Sequence, residues 1–162
     1  MKKFLLSTGN PYEVIIGENL LKDAGTHIAS CLPPPCKLCV ITDSNVNTLY
    51  AQTVLKALRK QGYQTSKIVF PAGEHAKNLV TYSNIMEALA DEGFTRSDAL
   101  VSLGGGVVGD LVGFAAATYL RGIPYVQLPT TYMAAVDAAV GGKTSINLLN
   151  GKIWQEQFGS LH

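Results

Sequence analysis

The residues best suited to chemistry lie between Ser102 and Lys152, in the run SLGGGVVGDLVGFAAATYLRGIPYVQLPTTYMAAVDAAVGGKTSINLLNGK. A glycine-rich turn, a threonine pair and two lysines share it, all of them suited to holding an anion. Gly104, Gly105, Gly106 and Gly109, with Val107 and Val108 between them, give the G-x-G-x-x-G spacing between an apolar strand and an apolar helix. Glycines there let the backbone approach a diphosphate, whose charge meets the helix N-terminal amides. The same glycines also suit a tight strand-to-helix turn with close packing, so the motif alone leaves both readings open.

A dinucleotide fingerprint usually adds an acidic residue about 20 positions on to bind ribose hydroxyls. No Asp or Glu occurs between Asp110 and Asp137. Ribose recognition is therefore expected from the ends of earlier strands, at Asp43 in ITDSNV or Glu74 in PAGEHAK, though either could instead cap a helix. Lys77 lies three residues beyond Glu74. Thr130 and Thr131 could donate to phosphate oxygens or cap the helix that begins at Tyr132. Asp137 stands in the small, apolar stretch AAVDAAVGGK, where a buried carboxylate would need a partner or ligand. Lys143 after Gly141-Gly142 and Lys152 after Asn150-Gly151 could reach into a cleft or be simply solvated. Arg121, in YLRGIP, could act only on the dipole of a helix C-terminus.

The elements that must position these residues follow from hydrophobic period. Short apolar segments at Lys3 to Leu6 and Tyr12 to Ile16 flank Thr8-Gly9-Asn10-Pro11, which predicts a hairpin at a sheet edge. A helix is expected over 18–30. Strands at 38–42, 66–70, 99–103 and 125–128 then alternate with helices at 46–61, 79–92 and 107–120. Strands apolar on both faces and separated by helices predict an α/β fold, a Rossmann-like, mostly parallel sheet covered on both sides. In such sheets ligands bind beyond the carboxyl ends of the strands. Asp43, the 71–77 stretch, the 104–110 turn and 129–131 should thus converge on one crevice.

Composition narrows the classes. At 162 residues, 47% hydrophobic and 15% charged, the chain is expected to form one globular domain. A formal charge of +1 without a lysine cluster argues against a nucleic-acid surface. No membrane span or signal peptide is legible, so a cytoplasmic protein is expected. Cys31, Cys36 and Cys39 cluster as CLPPPCKLC, which invites a zinc or redox reading. Structural zinc usually takes four ligands and no histidine lies nearby, so a Pro-rich loop entering a buried strand is the plainer expectation.

Taken together, PAGEHAK, SLGGGVVGD, YLRG, QLPTT, AAVDAAVGGKTSIN and NGK closely resemble 3-dehydroquinate synthase in order and spacing, over nearly all of residues 1–152. The resemblance implies an NAD- and metal-dependent lyase of the shikimate pathway of aromatic amino acid biosynthesis, homodimeric at full length. That family converts the seven-carbon phosphate DAHP into 3-dehydroquinate and phosphate. It implies that Asp43, Gly73, Glu74, Lys77, Gly104, Gly105, Gly106, Val107, Val108, Gly109, Asp110, Thr130, Thr131, Lys143 and Lys152 hold NAD or border its pocket. Arg121, Asp137 and Lys143 are implied near the substrate as catalytic residues. Related cyclases such as 2-deoxy-scyllo-inosose synthase share much of this pattern, and glycerol dehydrogenase and iron-type alcohol dehydrogenases a more distant version.

The resemblance breaks after NGK. The family continues with asparagine and a segment like NLIGAFHQP, leading to a mostly helical domain whose glutamate and two histidines bind a divalent metal, Zn or Co. Here Ile153 replaces the asparagine, and His27, His75 and His162 have no metal-ligand context, so the ligand set is expected to be missing. Codons can be chosen for residues 152–162 so that one added adenine yields Lys-Asn-Met-Ala-Gly-Ala-Val-Trp-Gln-Pro-Thr, restoring the family pattern. Residues 153–162 are accordingly expected to be an out-of-frame tail. Two functions stay open: a catalytically incomplete half of the enzyme, with an apolar patch left exposed, or a stand-alone NAD-binding module.

Overall fold

The computed structural model describes residues 1–6 and 11–148, so Lys152 and the tail lie outside the described residues. Strands β1 (Lys2–Leu6) and β2 (Tyr12–Ile16) pair antiparallel as the expected hairpin. The hairpin forms a two-stranded sheet of its own. A cavity of about 700 Å³ is lined by Glu13 and Ile15 of the hairpin together with Val126 and Leu128 of the main sheet.

The main sheet holds β3 (Lys37–Asp43), β4 (Gln64–Phe70), β5 (Ala99–Gly104) and β6 (Tyr125–Pro129), all parallel, in the order β4-β3-β5-β6. Strand period explains the two-sided apolar runs. On β3, Cys39 and Ile41 face one core with α4 (Leu79–Asp91) and α5 (Gly106–Thr118), whereas Leu38 and Val40 face another. That second core is covered by α1 (Ala24–Cys31) and α3 (Gln52–Lys60).

Two helix boundaries differ from expectation for local backbone reasons. The 18–30 helix splits into a 3₁₀ turn, Leu20–Lys22, and α1, because Asn19 is left-handed (φ 58°) and Asp23 leaves helical geometry (φ −108°, ψ 11°). The helix expected over 46–61 begins earlier, as α2 (Ser44–Val46), and passes through a π-helical stretch, Asn47–Ala51, into α3. No helix among the described residues is long and apolar enough to cross a membrane.

Connections leave β3 in one direction to β4 and cross back to β5 on its other side. The order reverses between these two central strands, and in open parallel sheets ligands bind beyond the carboxyl ends of the strands at such a switch point. Thr42 ties those ends together, its buried Oγ1 donating to the Leu103 carbonyl at 2.7 Å.

Candidate functional site

The turn from β5 into α5 shows why glycine is needed at two positions for opposite reasons. A Cβ on Gly104 would collide with the side chain of Val108, which is fully buried, so this glycine lets the strand end lie against the helix. A Cβ on Gly106 would meet nothing within 4 Å. Gly106 therefore fronts open space at the N-terminus of α5, where no side chain caps the helix. Amides that lack an intrahelical partner point out of such an end, and its partial positive charge favours an anion.

Thr130 and Thr131 border the same turn. The Thr130 amide donates to the Gly104 carbonyl at 2.9 Å. Thr131 Oγ1 accepts from the Ala134 amide at 3.1 Å, so it does cap the next helical segment. Its hydroxyl proton is still available to a ligand, and its methyl lies 3.5 Å from where a Gly105 Cβ would stand.

Beside them a polar clasp joins three distant stretches. Gly73, at φ +116°, begins a 3₁₀ turn over Glu74–Ala76 and delivers Lys77 inward. Lys77 is only 8% exposed, and its Nζ donates to Asp110 Oδ2 at 2.5 Å from the second turn of α5. A buried ammonium needs such a partner. Ser145 Oγ donates to the same Asp110 oxygen at 3.3 Å. Asn147 donates its amide N–H to the Lys77 carbonyl and its side-chain Nδ2 to Glu74 Oε1, both at 2.9 Å.

Under the turn, Tyr125 Oη donates to the Gly109 carbonyl at 2.9 Å and lies 3.0 Å from Ser102 Oγ. Burial, with the Asp110 charge nearby, pushes the Tyr125 hydroxyl above its ordinary pKa and keeps it a neutral donor. It fixes α5 against β5 and β6 one residue from Asp110.

The remaining expected residues are spread differently. Asp43 is a helix cap: its Oδ1 accepts from the amides of Asn45 and Val46 at 2.8 and 2.9 Å, and Oδ2 takes no part in the cap. Asp137 is exposed in a π-helical segment, Ala134–Ala138, so the cost of burying it does not arise. Lys143 is exposed after the left-handed pair Gly141 and Gly142. Arg121 stands apart. It follows α5, which runs away from the crevice, and precedes β6, so it sits at the opposite edge of the sheet, exposed and at φ +69°.

The KTSIN motif does not by itself reveal the bonds that Ser145 and Asn147 make. The available signal was period: Ser145 and Asn147 flank Ile146, which is 6% exposed, so both project away from the core where Ile146 enters it. Ser102, the lone polar residue of a fully buried strand, similarly signalled a partner. Cys39 is buried in β3 with its thiol pushed up to about 12 by burial, and among the described residues no group of three or more His, Cys, Asp or Glu could hold a metal.

A twisted parallel sheet wound on both faces, with a glycine turn and an uncapped helix N-terminus at its switch point, defines an α/β domain of the Rossmann-like class. The 3-dehydroquinate synthase N-terminal family matches residues 67–160, and the chain belongs to that family. It is similar to the 3-dehydroquinate synthase of Clostridium acetobutylicum, at 44% identity over 153 residues, covering 94% of this chain and 43% of the other. The chain thus spans about two fifths of the length of the curated relatives it matches. Its fold is similar to 2-deoxy-scyllo-inosose synthase solved with carbaglucose-6-phosphate, NAD+ and Co2+, at 26% identity and a TM-score of 0.88, covering 99% of this chain and 43% of that one. It is similar also to the 2-epi-5-epi-valiolone synthase of Streptomyces hygroscopicus subsp. jinggangensis with NAD+ and Zn2+ bound, at 30% identity and a TM-score of 0.80, covering 93% and 41%.

Proposed function

We propose that this chain is the NAD-binding half of a 3-dehydroquinate synthase, a cyclase that converts DAHP into 3-dehydroquinate and phosphate. The observation that carries the reading is the junction of an open glycine turn at Gly106 with Glu74, Lys77 and Asp110 at one edge of the sheet. A diphosphate fits there because no Cβ fills the space before α5. NAD bound there would supply reversible hydride transfer within one turnover.

This chain's own residues then bind and orient. The α5 amides and the Thr131 hydroxyl face the phosphates, while Glu74 and the Oδ2 of Asp43 are the acceptors for ribose hydroxyls. Lys77 neutralises Asp110, so that the acid nearest the helix N-terminus does not repel the diphosphate. Lys143 and Asp137, both exposed, are assigned to the phosphorylated substrate, and Arg121 to the same substrate only in the setting of the full-length protein.

A divalent metal does not fit the described residues, and its ligands are assigned to the part of the relatives that this chain does not span. An apolar strip supports that division: Tyr132, Met133, Val136 and Val140 are 84, 69, 53 and 40% exposed along the segment after β6. A strip of this kind is covered when a second domain packs on it. Purified 162-residue chain, supplied with DAHP, NAD and Zn²⁺, is expected to release no phosphate above the blank in a colorimetric assay. Sustained turnover would show that the chain is a complete catalyst and overturn the assignment of a half.

A further inference from the structure

We infer that Asn147 is a positioning residue, which holds the Glu74 carboxylate in the orientation from which it accepts the ribose hydroxyls of the cofactor. The inference rests on the nucleotide reading above and deepens it. Glu74 is exposed on a short 3₁₀ turn, and a glutamate in that position otherwise samples many rotamers that binding would have to freeze. Asn147 removes that freedom from a distance of 73 positions in the chain.

Three features make it a fixed point. Its backbone N–H is bonded to the Lys77 carbonyl at 2.9 Å, and Asn147 forms a parallel bridge with Asn78, so the segment runs beside the 74–77 turn. The preceding Ile146 is anchored in the core at 6% exposure. From this position Nδ2 donates to Glu74 Oε1 at 2.9 Å. The bond occupies one lone pair of one oxygen, and a carboxylate has about four acceptor sites, so Oε2 stays open to a pair of hydroxyls. Holding an acceptor in its bound orientation lowers the cost of association without adding a contact to the ligand.

Alanine at 147 keeps the backbone bond to Lys77 and removes only the side-chain amide, so Asn147→Ala is expected to melt within about 2–4 °C of wild type. Calorimetric titration of the 162-residue chain with NAD should then give about three- to tenfold weaker binding for Asn147→Ala, the loss expected when binding itself must order one rotamer-rich side chain. In a Glu74→Ala background the same substitution should cause no further loss, because Asn147 acts only through Glu74. Asn147→Asp, which faces Glu74 with a like charge, should bind at least as weakly as the alanine variant at neutral pH. Equal losses with and without Glu74, or no loss at all, would overturn the positioning role and leave the nucleotide reading standing. Failure of the wild-type chain to bind NAD would remove both.

Discussion

The two edges of the parallel sheet handle polar groups in opposite ways. At the amino edge Asp98, 6% exposed, is consumed within the protein: the Lys37 amide donates to Oδ1 at 2.8 Å, and the Thr95 amide and hydroxyl donate to Oδ2 at 2.7 and 2.9 Å. Burial alone would raise this carboxyl, but those donors and the Lys37 ammonium hold it below the ordinary carboxylate range. Lys37 in turn donates to the Glu92 and Gly93 carbonyls at 2.9 and 2.6 Å, closing the C-terminus of α4, and lies 4.8 Å from the centre of the Phe94 ring. At the carboxyl edge Glu74, Asp43 and Thr131 each spend only part of their hydrogen-bonding capacity on bonds within the protein. One edge is a closed clamp that stabilises the fold, and the other is a half-satisfied rim around an open turn.

Substitutions should separate the two edges, and the largest effect belongs to the clamp. Asp98→Ala leaves buried N–H groups without acceptors and should cost about 2–3 kcal/mol, or about 5–10 °C in thermal midpoint. NAD affinity of the folded fraction should not change, because nothing at the crevice moves. The effect should depend on pH in one direction. A carboxyl whose folded pKa is depressed contributes stability above its unfolded value of about 3.9, and that contribution is lost as pH falls through the folded value. The gap in melting temperature between wild type and Asp98→Ala should therefore be constant near neutrality and close below about pH 4. A gap that widens in acid would contradict the hydrogen-bond account of Asp98.

A smaller effect, and of the other kind, is expected at the rim. Gly106→Ala puts a methyl into open space at the first position of α5, where alanine is a better helix former than glycine, so the melting temperature should hold or rise slightly. NAD affinity should fall by about tenfold, since the methyl occupies the approach to the helix N-terminus. Lost stability with unchanged affinity would mean that Gly106 serves packing alone and would erase the distinction between the edges.

Much of this arrangement is legible in the sequence, and the parts that are not share a cause. The βα alternation can be read because β3 and β5 are apolar on both faces, as only a doubly covered strand can be. The expectation that Asp43 and the stretches 71–77, 104–110 and 129–131 gather on one side of the sheet follows from the rule that parallel strands carry their ligands at their carboxyl ends. The break at Asp23 and the π-helical stretch at Asn47–Ala51 are backbone choices that hydrophobic period does not encode. Asn147 and Ser145 escape notice because their partners lie 73 and 35 positions away, and only the return of the 143–147 segment to the 77–78 turn brings them together. Tyr125 escapes for the same reason, reaching 16 positions back to Gly109.

Hydrogen–deuterium exchange of the 162-residue chain with and without saturating NAD tests the central claim most directly. Ligand-induced protection is expected in peptides covering 71–78, 104–110 and 129–131, with peptides covering 94–98 and 119–124 unchanged. Protection confined to the amino edge, or no protection at any NAD concentration, would contradict the assignment of the carboxyl edge as a nucleotide site.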